Sequence, residues 1–138
     1  MTPTIVPHLG FDGNCAEALA FYAETLGGEI SFMMTYGDSP MKDQFPVDMH
    51  GAVVHGTVKI GHQYIMGGDA PPHGYKKPEG VYVNLQYTDV EEGRRVFEAL
   101  AHGGGEEMAF GETFWSKGFG MCTDRYGIHW MVNVGELM

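Results

Sequence analysis

Phe11-Asp12-Gly13-Asn14-Cys15-Ala16-Glu17-Ala18-Leu19-Ala20-Phe21-Tyr22-Ala23-Glu24-Thr25-Leu26-Gly27-Gly28 reads as the end of a strand, a capped amphipathic helix and a stop. Asn14 stands at the N-cap position and Glu17 follows three residues later, the capping-box spacing. Ala18, Leu19, Tyr22 and Leu26 form one apolar stripe at helical period. Gly27 suits the left-handed conformation that closes a helix. The same logic recurs in Tyr87-Thr88-Asp89-Val90-Glu91-Glu92-Gly93-Arg94-Arg95-Val96-Phe97-Glu98-Ala99-Leu100-Ala101-His102-Gly103-Gly104. Here Asp89 is the cap, Glu92 follows three on, Val90, Val96, Phe97 and Leu100 make the buried face, and Arg94, Arg95 and Glu98 face water. The caps lie 75 residues apart and the stop glycines 76. Strand-like runs, 5–11 and 81–87, precede the helices, and extended segments follow each. One strand–helix–strands unit is therefore present twice, an arrangement expected to enclose a concave pocket between its copies.

In the first copy, 29–36 reads as a strand and 37–48 as a polar, proline-containing loop. Residues 53–60 and 63–66 read as strands joined through Gly61-His62. Three prolines, Pro71, Pro72 and Pro78, mark the connection between the copies. In the second copy, 106–110 and 118–123 are expected strands, Asp124-Arg125-Tyr126-Gly127 is a turn, and 128–132 is the last strand. Met131 then answers to Met66 at an offset of 65. An insertion of about ten residues near 39–48 in the first copy accounts for the drift.

Composition narrows the function. The 138 residues suit one domain or two fused half-domains, and 43% apolar content supports a core. Eighteen acids against eight bases give a net charge of −10. That argues against nucleic acid, which needs a basic footprint, and leaves room for a cationic small molecule. No apolar run is long enough for a membrane span. The first residues lack the basic and apolar regions of a secretion signal. Cys15 and Cys122 fit no metal motif and read as reduced core thiols of a cytoplasmic protein.

Stretches near both ends of the chain carry a resemblance. Phe11-Asp12-Gly13-Asn14-Cys15, Phe21-Tyr22 and Leu26-Gly27-Gly28 resemble the opening of PhnB-like proteins. Thr113-Phe114-Trp115, Gly118-Phe119-Gly120-Met121 and Thr123-Asp124-Arg125-Tyr126-Gly127-Ile128-His129-Trp130-Met131-Val132-Asn133 resemble their closing signature. These proteins belong to the vicinal oxygen chelate superfamily, with glyoxalase I, bleomycin-resistance proteins and extradiol dioxygenases. The resemblance spans nearly the whole chain. It implies an α+β fold of two βαβββ modules forming an incomplete barrel around a cavity, the glyoxalase/bleomycin resistance fold. A single domain over 1–138 then divides into a first module at 1–67, a linker at 68–80 and a second module at 81–138. The resemblance also implies a homodimer. It does not imply one reaction, because the fold hosts isomerases, dioxygenases, transferases and plain binders. Methyl transfer, a name carried by some PhnB-like proteins, finds no glycine-rich nucleotide-binding turn in this chain.

Catalytic members of the superfamily hold a divalent metal with His, Glu or Gln from four strand positions. By spacing, those positions fall here on Pro7, near Met66-Gly67, near Tyr82 and near Met131. None is a good hard-metal ligand, so no metal and no cofactor is expected. Shifting the register by one residue brings in His8 but turns it to the opposite face.

The ligand-lining candidates are Met33, His55, Met66, Tyr82, Asn84, Phe114, Trp115 and Met131. Aromatic and methionine side chains make an adaptable apolar lining with polar tips. Asn84 and Gln86 share a strand face with Tyr82 and could orient a ligand. His55 is the candidate catalytic residue, as general base or hydrogen-bonding anchor. His129 is expected to face the side opposite Met131, in a structural role. The expectation is a small-molecule-binding protein without a catalytic metal, with no nucleic-acid or membrane partner. One alternative is a metal-dependent lyase or dioxygenase using His8 and His55 with Asp69 or Glu112. Another is sequestration of a cationic, antibiotic-like ligand, whose aromatic part aromatic side chains would grip. A third is an interaction module whose cavity is filled by Trp115 packed on Met131.

Overall fold

An amphipathic helix must lay its apolar stripe on something, and in each half of this chain that something is a four-stranded sheet. The computed structural model describes residues 1–137 and divides into two units, one ending at Lys76 and one beginning at Lys77. In the first unit, β1 (His8–Phe11), α1 (Cys15–Leu26), β2 (Glu29–Thr35), β3 (Val53–Ile60) and β4 (Gln63–Asp69) follow in chain order. The sheet order is β1-β4-β3-β2. β1 and β4 run parallel, and the other neighbours antiparallel. Cys15, Ala18, Leu19, Tyr22 and Ala23 are the buried apolar positions of α1. The helix comes close because the strands beneath it carry glycine. A Cβ on Gly56 would lie 2.7 Å from Leu19 Cδ1, and one on Gly67 would lie 3.0 Å from Phe11 Cε2. Phe11, Leu19 and Tyr22 are fully buried, each stabilising the unit by roughly 1.5–3 kcal/mol.

The second unit repeats this plan with β5 (Val83–Tyr87), α2 (Val90–Ala101), β6 (Gly105–Gly111), β7 (Gly118–Thr123) and β8 (His129–Val134), in the sheet order β5-β8-β7-β6. Val96, Phe97 and Leu100 of α2 are buried. A Cβ on Gly120 would meet Phe97, and one on Gly93 would meet Val134. The fold is thus the α+β glyoxalase/bleomycin resistance type, a βαβββ unit made twice.

The two helices start differently. Asp89 caps α2 as expected, its side chain accepting from Glu92 N at 2.9 Å. The capping box of α1 does not form. Asn14 makes no side-chain cap bond and has φ −114°, ψ 23° rather than the extended backbone of an N-cap. Asp69, arriving at the end of β4, does the work instead. Its Oδ1 accepts from Gly13 N at 2.9 Å and Cys15 N at 3.0 Å, and its Oδ2 accepts from Val53 N at 2.8 Å. A charged acceptor from a distant strand displaces the local amide because charge-assisted bonds are the stronger. The second unit has its own buried carboxylate. Asp124 accepts from Tyr126 N, Ile128 N and Trp130 Nε1. Each acid is almost fully buried.

Strand ends also shift from the sequence reading. β1 begins at His8 rather than residue 5, although Pro7 O still accepts from Met66 N at 2.9 Å. β4 runs past Met66 through Gly67 and Gly68 to Asp69, because β1 pairs with it as far as Phe11↔Asp69. β8 starts at His129 and continues to Val134, opposite Tyr87 of β5. The insertion in the first copy is real. The β2–β3 connection covers 36–52 and holds two short 3-10 turns, whereas the β6–β7 connection covers only 112–117. Tyr36 ties that longer loop down by donating to Asp69 O at 2.7 Å. Among the described residues no helix is long and apolar enough to cross a membrane. Cys15 and Cys122 are free and buried. Burial first, and the neighbouring Asp69 or Asp124 next, pushes each thiol up to about 12, which leaves both unreactive.

Candidate functional site

Side chains on a strand alternate between faces, so the face of each sheet turned away from its helix can be read from the register. In the second unit that face forms a grid. Its first row is Tyr82, just before β5, with His129 on β8 and Thr123 on β7, where His129 and Thr123 are direct partners. The second row is Asn84, Met131, Met121 and Met108, paired in that order across all four strands. The third row is Gln86, Asn133 and Phe119, again direct partners. Rows on one face are about 7 Å apart along the strands.

The first row is a hydrogen-bonded belt. Register shifts in β6 between Glu106 and Met108, leaving Glu107 as the extra residue of a bulge. Its carboxylate accepts from Tyr82 OH and, at 2.7 Å, from Thr123 Oγ1. His129 lies beneath Tyr82 with ring centroids 5.2 Å apart. Its Nδ1 is 2.8 Å from Thr123 Oγ1 and 3.3 Å from Glu107 Oε1. Its Nε2 lies 2.9 Å from Pro78 O, which can only accept, so Nε2 carries a hydrogen. The bond from Tyr82, then that from Thr123, holds the Glu107 carboxyl below its usual range, and the same bond raises the Tyr82 phenol.

The third row is a chain of carboxamides beside an aromatic wall. Gln86 Nε2 donates to Gly135 O at 3.0 Å. Gln86 Oε1 accepts from Asn84 Nδ2 at 3.1 Å and from Asn133 Nδ2 at 3.3 Å. Asn133 Oδ1 is buried and has no hydrogen-bond partner. Phe119 stands opposite Asn133, Trp115 meets Phe119 edge-on at 5.3 Å, and Phe114 meets Trp115 at 4.7 Å. Ser116, buried behind them, braces this corner by accepting from Gly118 N and Val134 N.

The corresponding face of the first unit carries His8, Met66, Thr57, His55 and Phe32. His8 pairs with Met66, Met66 with Thr57, and Thr57 with Phe32. The His8 and His55 rings stack with centroids 5.8 Å apart and planes 20° apart. Burial, then the charge of His55, lowers the His8 pKa. This pair fits a divalent ion poorly. Lone pairs lying in two stacked, nearly parallel rings run side by side, whereas an ion needs donors converging at about 2 Å. Asp69 offers no third donor, since both its oxygens are occupied by backbone N–H groups. Glu112 belongs to the β6–β7 connection of the second unit. Among the described residues no three His, Cys, Asp or Glu side chains gather as an ion's cage would require.

The residues singled out from sequence thus separate. Tyr82, Asn84 and Met131 share one face of the second sheet, with Trp115 and Phe114 at its rim. Trp115 packs edge-on to Phe119, and Phe114 is almost wholly exposed. His55 and Met66 share a face of the first sheet. Met33 lies on the opposite side of that sheet: it pairs with Gly56 and points with it toward Leu19 of α1. The bulge between Ile30 and Phe32 resets the alternation of β2, which a count along the sequence misses. His129 shares the face of Met131 rather than opposing it, because β8 starts at His129 and the two are one strand period apart. Sequence reasoning missed Glu107, Thr123, Met121 and Asn133. The alternation of 118–123 was signal enough for Thr123 and Met121, whereas Asn133 lies just past the expected end of the last strand.

Comparison with known proteins agrees with this architecture. Residues 3–133 match the family model described as 3-demethylubiquinone-9 3-methyltransferase. The chain is 41% identical to protein YjdN of Escherichia coli K12, over 93% of this chain and 92% of that protein. The crystal structure of PA1353 from Pseudomonas aeruginosa superposes with a TM-score of 0.89 at 40% identity, covering 96% of this chain and 98% of that one. A PhnB protein of Bacillus cereus superposes with a TM-score of 0.81 at 26% identity, covering 96% and 100%. With its twice-made βαβββ unit and this family match over nearly its whole length, the chain belongs to the PhnB-like family that this model describes.

Proposed function

We propose that this protein binds a small organic molecule on the α2-free face of its second unit, and that it does so without a divalent metal. One observation carries the reading. Met108, Met121 and Met131 form an adaptable apolar floor, bounded at one end by the Tyr82–Glu107 belt and at the other by the carboxamides and the Trp115–Phe119 wall. Apolar walls with a few placed polar groups are what a small-molecule site requires. The Glu107 carboxylate and the net charge of −10 favour a neutral or cationic ligand over an anionic one.

Methyl transfer, the activity in the family description, would need a bound methyl donor. Neither strand-to-helix turn carries a glycine-rich nucleotide-binding sequence, and the turn into α1 is filled by the Asp69 carboxylate.

Titration of small aromatic amines should quench Trp115 fluorescence while leaving buried Trp130 unaffected. Treatment with EDTA should leave the affinity unchanged, and Trp115→Phe should abolish the signal. Binding lost on chelation and restored by Mn(II), Ni(II) or Zn(II) would favour the metal-dependent alternative and overturn this one.

A further inference from the structure

We infer that the ligand of the second unit is a planar molecule bearing an N–H donor, which it places on Asn133 Oδ1 while its ring lies against Trp115 and Phe119. The inference rests on the binding role proposed above and narrows it to a chemical class.

The polarity of the carboxamide chain is fixed from one end. Gly135 O is a backbone carbonyl and can only accept, so the Gln86 atom facing it at 3.0 Å must be the amide nitrogen. Gln86 Oε1 then points the other way and requires donors, which Asn84 Nδ2 and Asn133 Nδ2 supply. Turning over the Asn133 amide would set two oxygens against each other. Turning over Gln86 would set its oxygen against Gly135 O. With no freedom left to flip, Asn133 presents its oxygen outward from the chain. Among the described residues it is the single buried side-chain nitrogen or oxygen left without a partner.

Leaving such an acceptor unmade carries a desolvation penalty, and a site that tolerates it is poised for a donor from outside. The neighbouring side chains set the shape of that donor's carrier. Phe119 faces Asn133 across the strand pair, and Trp115, partly exposed in the connection before β7, stands edge-on to Phe119. Met131, one period along β8 from Asn133, adds a flexible apolar neighbour on the same face. A flat N–H-bearing ring satisfies the oxygen and the aromatic wall together. A carbonyl, ether or carboxylate at the same place would meet an acceptor with an acceptor.

Indole and benzofuran test this directly, being of one shape and differing in N–H against O. Each is titrated into the intact protein and followed through the amide and side-chain resonances of Asn133, Gln86 and Trp115. Indole is expected to bind about tenfold more tightly than benzofuran, and Asn133→Leu to erase that preference while benzofuran binding persists. Equal affinities for the intact protein overturn the donor assignment and leave the binding role standing. No perturbation of these resonances by either compound overturns both. The comparison on the unaltered protein decides the matter even if Asn133→Leu fails to fold.

Discussion

Replacing Asp69 by Ala is expected to cost the first unit on the order of 4 kcal/mol, enough to bring a domain of ordinary stability close to unfolding. Three backbone N–H groups, those of Gly13, Cys15 and Val53, lose their acceptor at once. Asp69 is 4% exposed, so water cannot take its place without opening the turn into α1. The same carboxylate joins three elements: the end of β1, the start of α1 and the start of β3. Asp69→Asn should be no gentle substitute. One amide oxygen can serve the Gly13 and Cys15 pair, but the amide NH₂ then faces Val53 N–H donor to donor. Urea unfolding followed by circular dichroism checks both, with a lowered midpoint in each. A change below about 1 kcal/mol for Asp69→Ala would mean that the helix is capped by Asn14 after all.

The second large effect is expected at Gly104, where α2 hands over to β6. A Cβ there would lie 2.0 Å from Thr123 O and 2.7 Å from Asp124 C. These are backbone atoms, so no rotamer change relieves the clash, and Thr123 and Asp124 would have to move together. Moving Asp124 loosens its bonds to Tyr126, Ile128 and Trp130. Gly104→Ala should therefore destabilise the second unit by about 3 kcal/mol, the upper range for overpacking. Gly105→Ala is the control: nothing lies within 4 Å of its Cβ and its φ is not positive. It should change stability by less than about 0.5 kcal/mol. Thermal unfolding of the two variants side by side distinguishes a steric clash from a general intolerance of alanine in this turn.

These two residues also show how far the sequence could be read. Helix positions, the duplicated plan and the bounds of β3 and β7 follow from local patterns: apolar period, cap spacing and glycine stops. The insertion between β2 and β3 follows from the drift in repeat register. Asp69 does not, because its partners on α1 and the preceding turn lie 54 and 56 residues away, and no local pattern announces a long-range cap. Asn14 satisfies the capping-box spacing and yet leaves its side chain unused, since a charged competitor arrives from β4. Glu107 was missed and Met33 was assigned to the wrong face for a shared reason. Each lies on or just after a bulge, where the two-residue alternation is reset and a count from the strand's start assigns the wrong face. The candidate site was legible in part. Tyr82, Asn84, Trp115 and Met131 were selected as aromatic, amide or methionine side chains at strand positions, and they belong to the second unit's face and rim. Which partners complete that face depends on register, and register is set by pairing across strands.

A ligand seated as proposed lies on the α2-free face of the second sheet, over its methionine floor. Methyl-¹³C-methionine spectra recorded while small aromatic amines are titrated in test it most directly. The prediction is that the Met108, Met121 and Met131 methyl signals move together and saturate, while Met33, packed under α1, and exposed Met41 stay still. Saturable shifts confined to Met34 and Met66 of the first unit, with Met121 and Met131 unmoved, would contradict it.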